Sequence, residues 1–236
     1  MPVRARLDAA LLTRPPRLLH ALLPGCEWTA PRHTSAGAPA LYLTFDDGPI
    51  PEETLWVLEQ LALFQAKATF FCVGQNLERY PEIARAALLA GHRLGNHTHL
   101  HRSAWATARP AYLAGVVACQ GLIEQVSGRV GAEEVLSSQT AISFEKPLFR
   151  PPYGRLTWPL LRALRPEFRV VMWSVLTRDY DPDLSPESCL RFVLAAVRPG
   201  DILVFHDSHK ASARLRFVLP RLLAHFAALG FQFPTL

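Results

Sequence analysis

The stretch Leu41-Tyr42-Leu43-Thr44-Phe45-Asp46-Asp47-Gly48-Pro49 is apolar almost to its end, then sets two adjacent carboxylates ahead of a Gly-Pro turn. A short apolar run closed by a turn signal reads as a strand covered on both faces, as in a parallel sheet. Asp46 and Asp47 then stand at the strand's C-terminal end. Taken alone, the pair is equally compatible with turn and helix-cap hydrogen bonds. Beside a metal, one carboxylate can ligate while the other stays free as a base.

Outward from this strand the same alternation recurs. Strands are predicted near 40–45, 68–73, 92–96, 148–150, 169–174, 201–206 and 231–233, and helices near 53–64, 76–90, 109–126, 157–165, 186–197 and 214–229. Ala68-Thr69-Phe70-Phe71-Cys72-Val73 and Ile202-Leu203-Val204-Phe205 are again apolar almost throughout. Seven strands with helices between them imply an α/β chain with a mostly parallel sheet, either a barrel or doubly wound. Residues 1–38, with Pro15, Pro16, Pro24 and Pro31, read as an N-terminal lead-in, and 39–236 as one domain. The polar, aperiodic stretch 127–147 reads as an insertion loop within it.

Composition narrows the class. With 236 residues, 50% of them hydrophobic and 19% charged, the chain can bury a core and is not disordered or low in complexity. Its four cysteines, Cys26, Cys72, Cys119 and Cys189, form no C-x-x-C pair, so reduced thiols are expected rather than a disulfide framework or thiolate zinc site. The net charge of +5 comes from scattered basic residues, so no nucleic-acid partner is expected. Arg4, Arg6, Asp8, Arg14 and Arg17 interrupt the one candidate signal segment, and no apolar run approaches the ~18 residues of a membrane span. A cytoplasmic location without a transmembrane segment is the expectation; oligomeric state is not legible.

The unusual polar residues gather at predicted strand ends: Asp46 and Asp47, His97, Arg150, Asp179, then His206 and Asp207. Parallel α/β folds build their active sites on that edge. In Gly95-Asn96-His97-Thr98-His99-Leu100-His101, the i and i+4 histidines, His97 and His101, are predicted on one side of a helical turn, with His99 pointing away. His20, His33, His92, His209 and His225 read as structural, and so does Trp173, placed in the core within a strand. Trp56, Trp105 and Trp158 read as packing or rim residues. Two imidazoles and one carboxylate suit zinc hydrolysis or a non-haem iron oxygenase. A hydrolase also needs a base, an acid and oxyanion donors, and these are available, which favours hydrolysis.

Thr44-Phe45-Asp46-Asp47-Gly48-Pro49, His97-Thr98-x-x-His101, Arg150-Pro151-Pro152-Tyr153-Gly154 and Val204-Phe205-His206-Asp207 resemble, in order and spacing, the signature motifs of the polysaccharide deacetylases. This is the NodB-homology domain of carbohydrate esterase family four, and the resemblance covers about residues 40–233. It implies a distorted, TIM-barrel-like (β/α)7 barrel in which Asp47, His97 and His101 hold one divalent metal, zinc by preference, with cobalt or another divalent ion able to substitute. It further implies Asp46 as general base, His206 as general acid, Arg150 as the group that orients and charge-balances Asp46, and the Tyr153 backbone N–H as an oxyanion donor. Asp179 takes the position of the aspartate that tunes the catalytic histidine. Tyr180 stands where the family usually has Trp, and Val204 where it more often has Leu; both touch substrate.

The implied function is metal-dependent removal of N-linked acetyl groups from an N-acetylglucosamine-type oligo- or polysaccharide, releasing acetate. An O-acetyl carbohydrate esterase of the acetylxylan type uses the same site and is the nearest alternative. A non-catalytic carbohydrate-binding barrel would require replaced ligands, base or acid, and none is replaced.

Overall fold

The computed structural model describes residues 13–134 and 146–236. In chain order the elements are α1 (Arg17–Leu22), β1 (Tyr42–Asp46), α2 (Pro51–Leu63), β2 (Ala68–Cys72), α3 (Gly74–Arg79), α4 (Pro81–Leu89), β3 (Arg93–Asn96) and α5 (Arg109–Glu134). They continue with β4 (Leu148–Phe149), a 3-10 turn (Pro152–Gly154), α6 (Trp158–Leu164), β5 (Arg169–Val170), β6 (Val175–Leu176), α7 (Pro186–Ala196), β7 (Ile202–His206) and α8 (Ser212–Ala228). Local chemistry sets several boundaries. Pro51 opens α2 with Glu52 and Glu53 in its first turn, and Ser185 caps α7 by accepting from the Ser188 N–H ahead of Pro186. Pro81 splits the helix predicted over 76–90 into α3 and α4, because it starts a new helix more readily than it continues one.

The strands form one curled parallel sheet in the order β5-β4-β3-β2-β1-β7-β6, with β1 between β2 and β7. Side chains alternate across it. Leu41, Leu43 and Phe45 pack into the cluster shared with the helices, where Phe45 stacks between Phe70 and Phe205 at ring separations of 5.1 and 5.6 Å. Tyr42, Thr44 and Asp46 therefore face the inside of the curl. The register sets Asp46 level with His206 on β7 and Phe71 on β2, so the two polar strand ends emerge side by side.

Edge strands β5 and β6 are not ladder partners, and the lead-in crosses the gap between them. Glu27 pairs with Val171 and Thr29 with Asp201, through hydrogen bonds from Glu27 N to Val170 O (2.8 Å), Met172 N to Glu27 O (2.7 Å) and Ala30 N to Gly200 O (2.9 Å). The lead-in is thus part of the sheet's closure. At the other terminus, Lys67 N donates to Phe233 O and Leu236 N to Thr69 Oγ1.

Two strand expectations need correction. The run 169–174 is a strand only over Arg169–Val170 (β5); residues 171–174 lie outside the ladder, and β6 begins at Val175 beyond the predicted run. The Val171 and Met172 carbonyls accept from the Arg150 guanidinium, so that backbone does not continue the ladder. The run 231–233 makes only a single bridge, Ala40 to Gln232, and Pro234 then removes the next ladder donor. Among the described residues the count of seven strands stands, with β6 in place of 231–233. The expected insertion loop is helical over 127–134 as the end of α5, and 135–145 lie outside the described residues. All four cysteines are free, with Cys72, Cys119 and Cys189 buried. Among the described residues no helix is long and apolar enough to cross a membrane.

Asp201 ties the strap to the sheet from a site only 2% exposed. It accepts from Ser174 Oγ (2.8 Å), Arg14 Nη1 (2.7 Å) and the Arg198 N–H (2.7 Å). Asp201→Ala leaves the Ser174 hydroxyl and the Arg198 amide without an acceptor, which costs about 2–3 kcal/mol. Thermal unfolding followed by circular dichroism should show Tm falling by roughly 5–10 °C for a domain of this size. An unchanged Tm would mean the strap carries no stability.

Candidate functional site

Arg150 lies at the end of β4 with no solvent exposure. Its Nη1 donates to Asp46 Oδ1 (2.7 Å) and Thr44 Oγ1 (2.7 Å), and its Nη2 donates to Met172 O (2.9 Å). The guanidinium stacks 4.0 Å from the centroid of the Phe71 ring. Thr44 passes its own proton to Leu203 O (2.8 Å), which leaves its oxygen free to accept from the arginine. Burial would push the Asp46 carboxyl up, but Arg150, with help from His97 and His206, outweighs it and holds Asp46 below the ordinary carboxylate range. Asp46 is thus an ionised carboxylate fixed in direction.

The backbone of Arg150 acts as well. Its carbonyl oxygen lies 2.8 Å from His97 Nδ1, which places the ring proton on Nδ1 and leaves the Nε2 lone pair toward Asp47 and His101. Burial, with His101 beside it, pulls the His97 pKa down to about 4 against the nearby aspartates, so the ring is neutral at physiological pH. His101 Nε2 lies 3.2 Å and His97 Nε2 3.9 Å from Asp47 Oδ1.

A metal fits this cluster. One donor atom each from Asp47, His97 and His101 falls within 4.8 Å of the others, and the buried Asp47 Oδ1 makes no hydrogen bond of its own. The two histidines do not lie on a helical turn as the spacing suggested. They sit in an irregular loop after β3 in which Thr98 (φ 65°) and His101 (φ 52°) are left-handed, and the Asn96 side chain pins it by accepting from Thr98 N (2.9 Å). His99 is turned away, 3.9 Å from Glu78, as expected.

Asp47 is itself left-handed (φ 88°). Asp207, wholly buried, anchors the turn behind it: Oδ1 accepts from Gly48 N (3.0 Å) and Oδ2 from the Thr54 hydroxyl (2.6 Å). Only glycine fits at 48, since a Cβ there would meet Asp207 Oδ2 at 2.1 Å. Burial raises the Asp207 pKa to about 8 despite these hydrogen bonds. The sequence reading placed Asp207 at a strand end without giving it a role; its adjacency to His206 and to the buried strand end was the available signal.

Across the pocket, His206 closes β7. Asp179, wholly buried beyond β6, accepts from the His206 N–H through Oδ2 (2.8 Å) and lies 2.8 Å from His206 Nδ1 through Oδ1. Burial disfavours the imidazolium, yet Asp179, with lesser help from Asp47 and Asp46, raises the His206 pKa to about 9. The Tyr180 ring meets His206 edge-on at 5.0 Å.

A cavity of about 580 Å³ joins Asp46, the three candidate ligands and His206, with Tyr153, Tyr180, Val204 and Trp173 in its wall. All ten predicted site residues are therefore assembled around one pocket, with Arg150 and Asp179 behind it. Trp173 is a correction: it is a partly buried pocket wall, not a core aromatic. Left-handed Tyr153 (φ 60°) and Gly154 (φ +64°) fold against it so closely that a Cβ on Gly154 would lie 2.4 Å from its ring.

The polysaccharide deacetylase family model matches residues 33–165. A chitooligosaccharide deacetylase of Azorhizobium caulinodans is 32% identical over 206 residues, 80% of this chain and 91% of that protein. A peptidoglycan-N-acetylglucosamine deacetylase of Bacillus cereus is 30% identical across 70% of this chain and 55% of its own length, so the likeness covers about half of that relative. The solved structure of the peptidoglycan deacetylase PdaC from Bacillus subtilis superposes with a TM-score of 0.71 at 26% identity, covering 86% of this chain and 90% of the other.

The purified protein should bind one divalent ion per chain, read by elemental analysis. His101→Ala should lower that affinity by at least about 10-fold, because it removes one of three donor atoms. Undiminished metal content in this variant would take His101 out of the site.

Proposed function

Because the chain belongs to the polysaccharide deacetylase family, we propose that it hydrolyses the acetamide of an N-acetylglucosamine-type saccharide, releasing acetate and a free amine. The carrying observation is a pair of neighbouring strand ends whose titrations are driven apart. Asp46 is held ionised and His206 protonated in the pocket that also holds the Asp47, His97 and His101 cluster. Two groups so separated define a base and an acid.

Two imidazoles and a carboxylate suit zinc. Bound there, the ion would polarise the acetamide carbonyl and make water easier to deprotonate. Asp46 takes the proton from the attacking water, its free oxygen aimed by the bond that Arg150 makes to the other. The Tyr153 N–H donates to the carbonyl oxygen as negative charge develops on it. His206 Nε2 delivers a proton to the departing nitrogen while Asp179 holds Nδ1. An amine leaves poorly unless protonated, which is what a donor with a pKa near 9 supplies. Acetate released from N,N′,N″-triacetylchitotriose tests the reading; turnover of acetylated xylan alone would shift it to the esterase.

Asp46→Asn should keep its metal and lose about 10²–10⁴-fold in kcat/KM, since the amide cannot accept the proton. Metal loss equal to that of Asp47→Ala would mean the two carboxylates exchange roles. The pH profile gives a second check. His206 is raised, so the active protonated acid persists below about pH 9 and is lost above it. Asp179→Asn removes the charge that raises it, and the alkaline limb of kcat/KM should move toward acid while the acidic limb stays. A stationary alkaline limb would leave Asp179 with a structural role only.

A further inference from the structure

A second, shallower cleft of about 650 Å³ opens beside the reaction pocket and shares His101, Tyr153 and Arg155 with it. A chain of stacked groups leads outward along this flank. His101 packs on Tyr153 at 4.6 Å, the Arg155 guanidinium lies 5.5 Å from the Tyr153 ring, and the same guanidinium lies 5.0 Å from the Trp105 ring. Trp105 is 66% and Tyr153 60% exposed. An indole that open is not a packing residue, yet it is held in place: its Nε1 donates to Leu156 O (3.4 Å) and its backbone N to Ser103 Oγ (3.3 Å). The sequence reading left Trp105 as packing or rim. The structure makes it the outer end of a surface continuous with the active site.

The charge on this flank has one sign. Arg155 and Arg102 both line the cleft, and among the described residues no carboxylate does. The Arg155 guanidinium lies over the two rings, while among the described residues no carboxylate pairs with it. A stacked guanidinium of this kind offers a preset fork for a carboxylate. The two arginines orient an acidic oligosaccharide with its acid on the flank and its neutral acetamide in the reaction pocket.

We propose that Trp105, Arg155 and Arg102 form a specificity subsite for a carboxylate-bearing sugar unit adjacent to the acetamido sugar being cleaved. The indole takes the apolar face of that unit, and the two arginines take its carboxylate. This deepens the deacetylase reading and rests on it.

The test compares acetate release from the N-acetylglucosaminyl-N-acetylmuramic acid disaccharide, from the same disaccharide with its lactyl carboxylate converted to the carboxamide, and from neutral N,N′,N″-triacetylchitotriose. The wild-type protein should favour the acid over the amide by at least about fivefold in kcat/KM, and this ratio should shrink as salt screens the pair. Arg155→Gln should bring the ratio toward one. Trp105→Ala should raise KM for acid and amide alike while the ratio persists. A wild-type ratio of one alongside turnover of triacetylchitotriose overturns the subsite and leaves the deacetylase reading standing, and needs no variant to fold. A ratio unchanged in Arg155→Gln overturns it as well. No acetate from any of the three overturns the deacetylase reading, and the subsite with it.

Discussion

A single buried guanidinium organises this protein. Arg150 carries its charge where no water reaches, a position that is costly unless every donor is met. The surroundings meet it from several directions: Asp46 and Thr44 from β1, the Val171 and Met172 carbonyls from the break between β5 and β6, and the Phe71 face from β2. The inside of the curl is thus shaped to hold an ion pair, and that pair carries half of the proposed chemistry. Arg150 also reaches the metal cluster through its main-chain oxygen on His97, so the base and one candidate metal ligand are set by the same residue. Displacing it would disturb both.

The proposed acid is organised separately. Asp179 holds His206 at two points, and its carboxylate is enclosed by β6, β7 and the loop between β6 and α7. Burial opposes the charged form of both Asp46 and His206, and in each case a fixed partner of opposite charge prevails. The resulting shifts run in opposite directions across one small pocket. That opposition lets a carboxylate serve as base and an imidazolium as acid under the same conditions.

Much of this was legible in the chain because parallel strands deliver their polar ends to one edge. Seven polar residues at predicted strand ends gather at one pocket, with Asp46, Asp47, His97 and His206 in its wall and Arg150, Asp179 and Asp207 buried behind it, and the four motifs sufficed to identify the family. Contacts that are distant in sequence were not legible. Whether Val170-Val171-Met172 continues as a strand depends on Arg150 taking its carbonyls, and no local periodicity encodes that. The His97 to His101 spacing suggested a helical turn, but left-handed Thr98 and His101 bring the rings together through a loop. Trp173 looked like core because its neighbours are apolar, whereas Gly154 folds beneath it and makes it pocket wall. The strap at Glu27–Ala30 carries no strand signal, since its partners are the edges of a gap rather than a ladder.

The central claim is that Arg150 acts on catalysis through Asp46. A double-mutant cycle of Arg150→Met and Asp46→Asn, read by acetate release from triacetylchitotriose with metal content monitored, tests it most directly. Groups that act as a unit are strongly non-additive. The account expects the double variant to be no slower than the slower single variant, within about threefold. Losses that multiply across the two substitutions would mean that Arg150 and Asp46 contribute independently, and would contradict the account.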